Sequence, residues 1–161
     1  MRCFDFFRID DPALYRRAIS EKLSDTATMA GKKGVIPVLE NEGSCNTRTG
    51  AETAKVLDAV RCPYLMPNWD PGNAAELGEK PYPDRYNLLP KERIGHCHYK
   101  DAVRTADGKG YEWAAMGSGI LDWAGPYRVL KRDGYRFAVS LETHWRARAH
   151  VQRSIFRKGR P

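Results

Sequence analysis

The chain has 161 residues, 42% of them hydrophobic, and a net charge of +7. That is enough for one domain with a core and too apolar for a chain that stays disordered. No apolar run is long enough to span a bilayer, and the N-terminal M-R-C-F-D-F-F-R has no signal-peptide core, so a cytoplasmic protein without a membrane role is expected.

The charge is uneven. Ala147–Pro161 holds Arg148, Arg153, Arg157, Lys158 and Arg160 and no acid, so it supplies +5 of the total. A basic tail can bind nucleic acid, but more often it is a solvated helix end, and nucleic acid is not the expected partner. Four cysteines (Cys3, Cys45, Cys62, Cys97) form no C-x-x-C pair, which fits reduced thiols better than a disulfide frame.

In chain order, Arg2–Arg8 reads as a Phe-rich strand. Asp11-Pro12 is an N-cap followed by proline at the first helical position, and a helix is expected over Pro12–Lys32, ended by Gly31 and Gly34. Val35–Glu42 is a second strand. Gly43–Thr49 is a loop and Gly50–Val60 a helix with Val56, Leu57 and Val60 on one side. Pro63–Asp70 is a third strand. Pro71–Pro90, rich in Pro and Gly, is expected to be mostly loop with a short helix near Asp84–Leu89. Ile94–Asp101 is a fourth strand. Ala102–Gly119 reads as a long polar loop, a kind of segment that is often functional. A helix from Asp122-Trp123 runs to Arg132 and stops at Asp133-Gly134. Phe137–His144 is a fifth strand, and a helix over Arg146–Lys158 closes the chain.

Strands alternating with helices predict a parallel α/β sheet. In such folds functional groups collect at the C-terminal ends of the strands. Here polar residues sit at those ends: Glu40, Asp70 and Glu142 close apolar runs, and His98 lies near the end of Ile94–Asp101. Period-two alternation puts Ala138, Ser140, Glu142 and His144 on one face of the last strand, with Phe137, Val139 and Leu141 against helices. A polar inner and apolar outer face suits a barrel with a polar mouth better than a doubly wound sheet. Three carboxylates and an imidazole suit a divalent cation: the carboxylates favour Mg²⁺ or Mn²⁺, and the imidazole admits Mn²⁺, Co²⁺ or Zn²⁺. No thiolate stands at a strand end, which argues against a structural zinc site.

The ordered set L-E-N-E (Leu39–Glu42), D-P-G-N (Asp70–Asn73), H-C-H-Y-K-D (His96–Asp101), G-S-G-I-L-D (Gly117–Asp122) and S-L-E-T (Ser140–Thr143) resembles the sugar phosphate isomerase/epimerase proteins of the xylose-isomerase-like superfamily of (β/α)8 barrels. The resemblance covers nearly the whole chain. It implies a partial TIM barrel of five parallel strands corresponding to strands four to eight, since a full barrel takes about 250 residues. It implies Glu40, Asp70, His98 and Glu142 as metal ligands, with Glu40 and Glu142 as the catalytic acid/base pair. Asn73, His96, Lys100 and Arg48 would line the substrate pocket. Glu42 is a rival for the first ligand on the same strand face, and the match to L-E-N favours Glu40.

The implied function is metal-dependent isomerisation or epimerisation of a sugar, sugar phosphate or polyol by proton transfer through an enediolate. A non-catalytic remnant, a keto-polyol dehydratase and an apurinic endonuclease are the alternatives. Against the last, Asn73 stands where that group has a histidine, and no D-x-H follows the fourth strand. The implied partners are the small-molecule substrate and either a second copy of the chain or a missing N-terminal half.

Overall fold

The computed structural model describes residues 1–146. Five parallel strands form one sheet in chain order: β1 (Arg2–Cys3), β2 (Val38–Glu40), β3 (Met66–Trp69), β4 (His96–Tyr99) and, after a two-stranded insertion, β7 (Val139–Leu141). Sequential order in a parallel sheet with a crossover at each step is the topology of a barrel wall, so the chain is a five-stranded parallel half-barrel with its helices outside.

The helices are α1 (Arg16–Lys32), α2 (Gly50–Ala59), α3 (Pro71–Glu76) and α4 (Ala124–Arg132). Asp11 caps a single 3-10 turn, Pro12–Leu14, before α1 begins, so the expected helix starts later than its proline. At α2, Thr49 and Glu52 exchange side-chain-to-backbone bonds in a capping box, which fixes the end of the loop after β2.

Alternation along the strands sorts the side chains. Leu39 packs outward against Ile19, Leu23 and Ala27 of α1 and Leu57 of α2. Trp69, Cys97 and Tyr99 pack outward with Ala74, Ile94, Val129 and Leu130. The residues between them, Glu40, Asn68, His96 and His98, are left for the inner face. None of the four cysteines is bridged, and no helix of the described residues is long and apolar enough to cross a membrane.

Four further expectations need correcting. The strand expected over Arg2–Arg8 ends at Cys3. Beyond it the Asp5 carboxylate accepts from Thr47 Oγ1 at 2.7 Å and Asn46 N at 3.0 Å, and Arg8 N donates to Ser44 O. These bonds draw the segment onto the loop after β2. The expected loop after Asp70 opens as α3, capped by Asp70 with Pro71 at its first turn. The expected long loop Ala102–Gly119 contains an antiparallel hairpin, β5 (Asp101–Arg104) with β6 (Tyr111–Ala114). The last strand is three residues long, Val139–Leu141, where Phe137–His144 is expected. The closing helix over Arg146–Lys158, beyond its first residue, and the basic tail lie outside the described residues.

Among the described residues β1 pairs on one side only, with β2. The segment after it leaves Phe6 55%, Phe7 73% and Ile9 81% exposed. An unpaired edge beside apolar side chains is a template for association. The 161-residue polypeptide on its own is therefore expected to self-associate at micromolar concentration in sedimentation velocity. A stable monomer with a sharp cooperative melt is the opposite result.

Candidate metal centre

Glu40 ends β2, Asp70 follows β3, His98 lies in β4 and Glu142 follows β7. Each offers one ligand atom, and the four atoms lie within 4.8 Å of one another. Glu40, Asp70 and His98 are buried and Glu142 is half-buried. Glu42 is not in this group. Its carboxylate instead accepts from Asn73 Nδ2 at 3.4 Å.

The tetrad is held by neighbours that are themselves fixed. Asn68, in register with Glu40 on the adjoining strand, places its Nδ2 2.8 Å from Glu40 Oε2 and 3.2 Å from His98 Nδ1. Asn41 locks the end of β2 to the end of β3: its Oδ1 accepts from Asp70 N at 2.8 Å and its Nδ2 donates to Asp70 O at 2.8 Å. Lys100, 2% exposed, stands 2.9 Å from both Asp70 Oδ2 and Glu142 Oε2. Gly72 lets it pass, because a Cβ there would come within 2.7 Å of Lys100 Cγ.

Charge and burial act in opposite directions here. Burial alone would raise the Glu142 carboxyl, but the hydrogen bond and charge of Lys100, then Arg2 and His98, outweigh it and bring it down to about 2. Asp70 goes the other way: burial lifts it to about 6 against the pull of Lys100 and the Asn73 N–H. Burial opposes charge on Lys100 and His98 as well, yet the acids beside them hold both above their ordinary values. His96 is pushed down by burial and by neighbouring His98.

A divalent ion fits this donor set. Three carboxylates and one imidazole converge, and Asp70 Oδ2, although charge-paired with Lys100, is buried and takes no aligned hydrogen bond. Lys100 supplies charge to that oxygen but no aligned hydrogen bond, and a divalent ion would supply the partner it lacks.

The structure treats the expected pocket residues differently. His96 lies on the tetrad's face of β4 and bonds Ser140 Oγ at 2.8 Å through Nε2. Lys100 is bound to two members. Asn73 is a buried brace, donating Nδ2 to Asn41 O at 2.8 Å. Arg48 is not brought to the tetrad by any bond among the described residues: its Nε lies 3.8 Å from Glu52 and its carbonyl accepts from Asn41. Arg2, Asn41, Asn68 and Trp113 are site residues that the sequence reading does not single out. Trp113, on β6, lies 5.0 Å from Lys100 Nζ and stacks on His144 at 5.1 Å.

A half-barrel carrying a carboxylate–imidazole tetrad at the C-terminal ends of its strands defines the class. The chain belongs to the xylose isomerase-like TIM barrel family, whose model matches residues 5–158. None of the curated proteins compared with it matches by sequence. Among solved structures it is similar to the probable 3-DHS dehydratase AsbF of Bacillus anthracis (TM-score 0.74, 22% identity, 94% of this chain and 58% of that one). It is similar to the IOLI protein with a bound zinc atom (0.73, 16%, 88% and 52%). It is also similar to D-allulose 3-epimerase from Methylomonas sp. in complex with D-allulose (0.63, 24%, 80% and 42%). At these identities the likeness is one of fold, and the chain spans about half the length of each.

Proposed function

We propose that this chain carries the metal-holding part of an isomerase or epimerase site for a sugar, sugar phosphate or related polyol. The observation that supports it is the convergence of Glu40, Asp70, His98 and Glu142 within 4.8 Å. A Mn²⁺, Mg²⁺, Co²⁺ or Zn²⁺ ion held by these four would act as a Lewis acid on neighbouring oxygens of a ketose. A zinc atom in one structural relative and D-allulose in another are in keeping with this reading.

The chain's own residues would move the proton. Glu40 ends β2 and Glu142 follows β7, two strands of the sheet that are not neighbours, so one could take a proton beside the carbonyl and the other return it, through an enediolate. Glu142, held down at about 2 by Lys100 and Arg2, is ionised and offers its charge to a cation; leaving those partners would raise its basicity. His96 would orient hydroxyls, and Asn73, whose amide braces Asn41, belongs to the pocket by resemblance. Arg48 belongs to the pocket by resemblance alone. Such a protein would serve carbohydrate metabolism in the cytoplasm.

A second reading, a non-catalytic remnant, is favoured by one observation: among the described residues the parallel sheet has five strands, and no further strand joins it. Steady-state turnover of a ketose panel with Mn²⁺ separates the two. Turnover that is lost on chelation is expected from an enzyme. Mn²⁺ binding without turnover of any ketose supports the remnant.

A further inference from the structure

Arg2 approaches the tetrad from the opposite edge of the sheet. It starts β1, in register with Val38. Its Nη1 lies 3.4 Å from Glu40 Oε2 and hydrogen-bonds Glu142 Oε1. The guanidinium thus ties the neighbouring strand to the far edge of the half-barrel through two members of the tetrad.

Two cations serve these acids, and they differ in freedom. Lys100 is 2% exposed and threaded past Gly72, so it cannot leave without disturbing the core. Arg2 has a side chain 44% exposed, and its Cζ lies 5.1 Å from the ring of Phe4, itself partly exposed. The guanidinium can swing outward along that ring with little loss of packing. It also holds oxygens that the tetrad would offer to an ion. Glu142 already gives Oε2 to Lys100, and Glu40 Oε2 already accepts from Asn68. A divalent ion and a guanidinium that compete for the same oxygens also repel each other.

Resting on the metal-site reading above, we propose that Arg2 is a resident competing cation that a divalent ion must displace from Glu40 and Glu142. Arg2 then stabilises the half-barrel when no ion is bound and sets a ceiling on metal affinity, because anything that binds one arrangement only shifts the balance against the other. An ordinary surface ion pair would have neither consequence. A residue that merely orients Glu40 and Glu142 for the metal would have the first and the reverse of the second.

The test is calorimetry with Mn²⁺ alongside thermal melts of chelator-treated protein, using the full chain, Arg2→Gln, and Arg17→Gln as an exposed arginine away from the site. Arg2→Gln is expected to bind Mn²⁺ at least tenfold more tightly than wild type and to melt several degrees lower after chelation. Saturating Mn²⁺ then raises its melting temperature more than it raises that of wild type. Arg17→Gln moves neither quantity. If Arg2→Gln does not fold, Arg2→Lys, which keeps the charge but lacks the fork that spans two carboxylates, should show the same tightening on a smaller scale. Unchanged or weaker Mn²⁺ binding by the Arg2 variants, with wild type still binding, overturns the inference and leaves the tetrad reading standing. Absence of Mn²⁺ binding by wild type and variants alike overturns both.

Discussion

His98→Ala is expected to weaken Mn²⁺ binding by about 100-fold, which is about 2.7 kcal/mol. His98 is the one imidazole of the tetrad, and without it the ion keeps only carboxylate donors. The substitution also disturbs the rest of the site. Asn68 Nδ2 loses its ring partner at 3.2 Å, and Glu40 Oε2 loses an imidazole nitrogen at 3.2 Å. His96 is the internal control. It shares the face and stacks edge-on against His98 at 5.1 Å, but its polar bond runs to Ser140. His96→Ala should cost about tenfold, the lower end of the range for a group that orients a ligand. Calorimetry at fixed ionic strength decides it. Equal Mn²⁺ affinities of wild type and His98→Ala would remove His98 from the ligand set.

The four tetrad members are legible in the sequence for a simple reason. Each stands at or near the end of a strand-like run, and parallel α/β sheets gather such ends at one mouth. Period-two alternation also separates His96 and His98, which face in, from Cys97 and Tyr99, which face the helices. What periodicity cannot give is reach. Arg2 begins a strand rather than ending one, and its place beside Glu142 depends on how far the wall curves to bring its two edges together. Asn41 and Asn68 look like ordinary polar residues next to carboxylates. Their roles come from register, Glu40 opposite Asn68, which is a tertiary fact. Two features had local signals. Asp70-Pro71 is an N-cap with proline at the first helical position, the start of α3. Asp107-Gly108 sits in the turn between β5 and β6, where an Asp-Gly pair between polar–apolar runs marks a hairpin.

That hairpin leads to the second large effect, Asp101→Ala, expected to destabilise the fold by about 2–4 kcal/mol. Asp101 is 2% exposed at the start of β5. Its Oδ2 accepts from Gly117 N and Gly119 N, both at 2.9 Å, and its Oδ1 accepts from Ala102 N at 2.9 Å and Leu121 N at 3.4 Å. One carboxylate thus gathers the backbone between β6 and α4. Gly119 is required there, because a Cβ would collide with Asp101 Oδ1 and the Ala102 carbonyl. Leaving a buried donor without an acceptor costs about 1–3 kcal/mol. Part of this is recovered here, since Gly117 is exposed and can turn to water. Asp101→Asn is expected to fall close to the alanine variant, because an amide offers one acceptor oxygen where four N–H groups need two. Asp107→Ala is the control: its carboxylate accepts only from Thr105 Oγ1 and Lys109 N in the exposed hairpin turn, and it should leave the unfolding midpoint close to that of wild type. Urea unfolding followed by circular dichroism reads the difference as a shift of midpoint at constant slope. Because β6 carries Trp113 to Lys100 and His144, loosening this loop should also speed amide exchange at Gly117 and Gly119 before global unfolding. A midpoint for Asp101→Ala no lower than that of Asp107→Ala would mean that the loop is held by something other than this carboxylate.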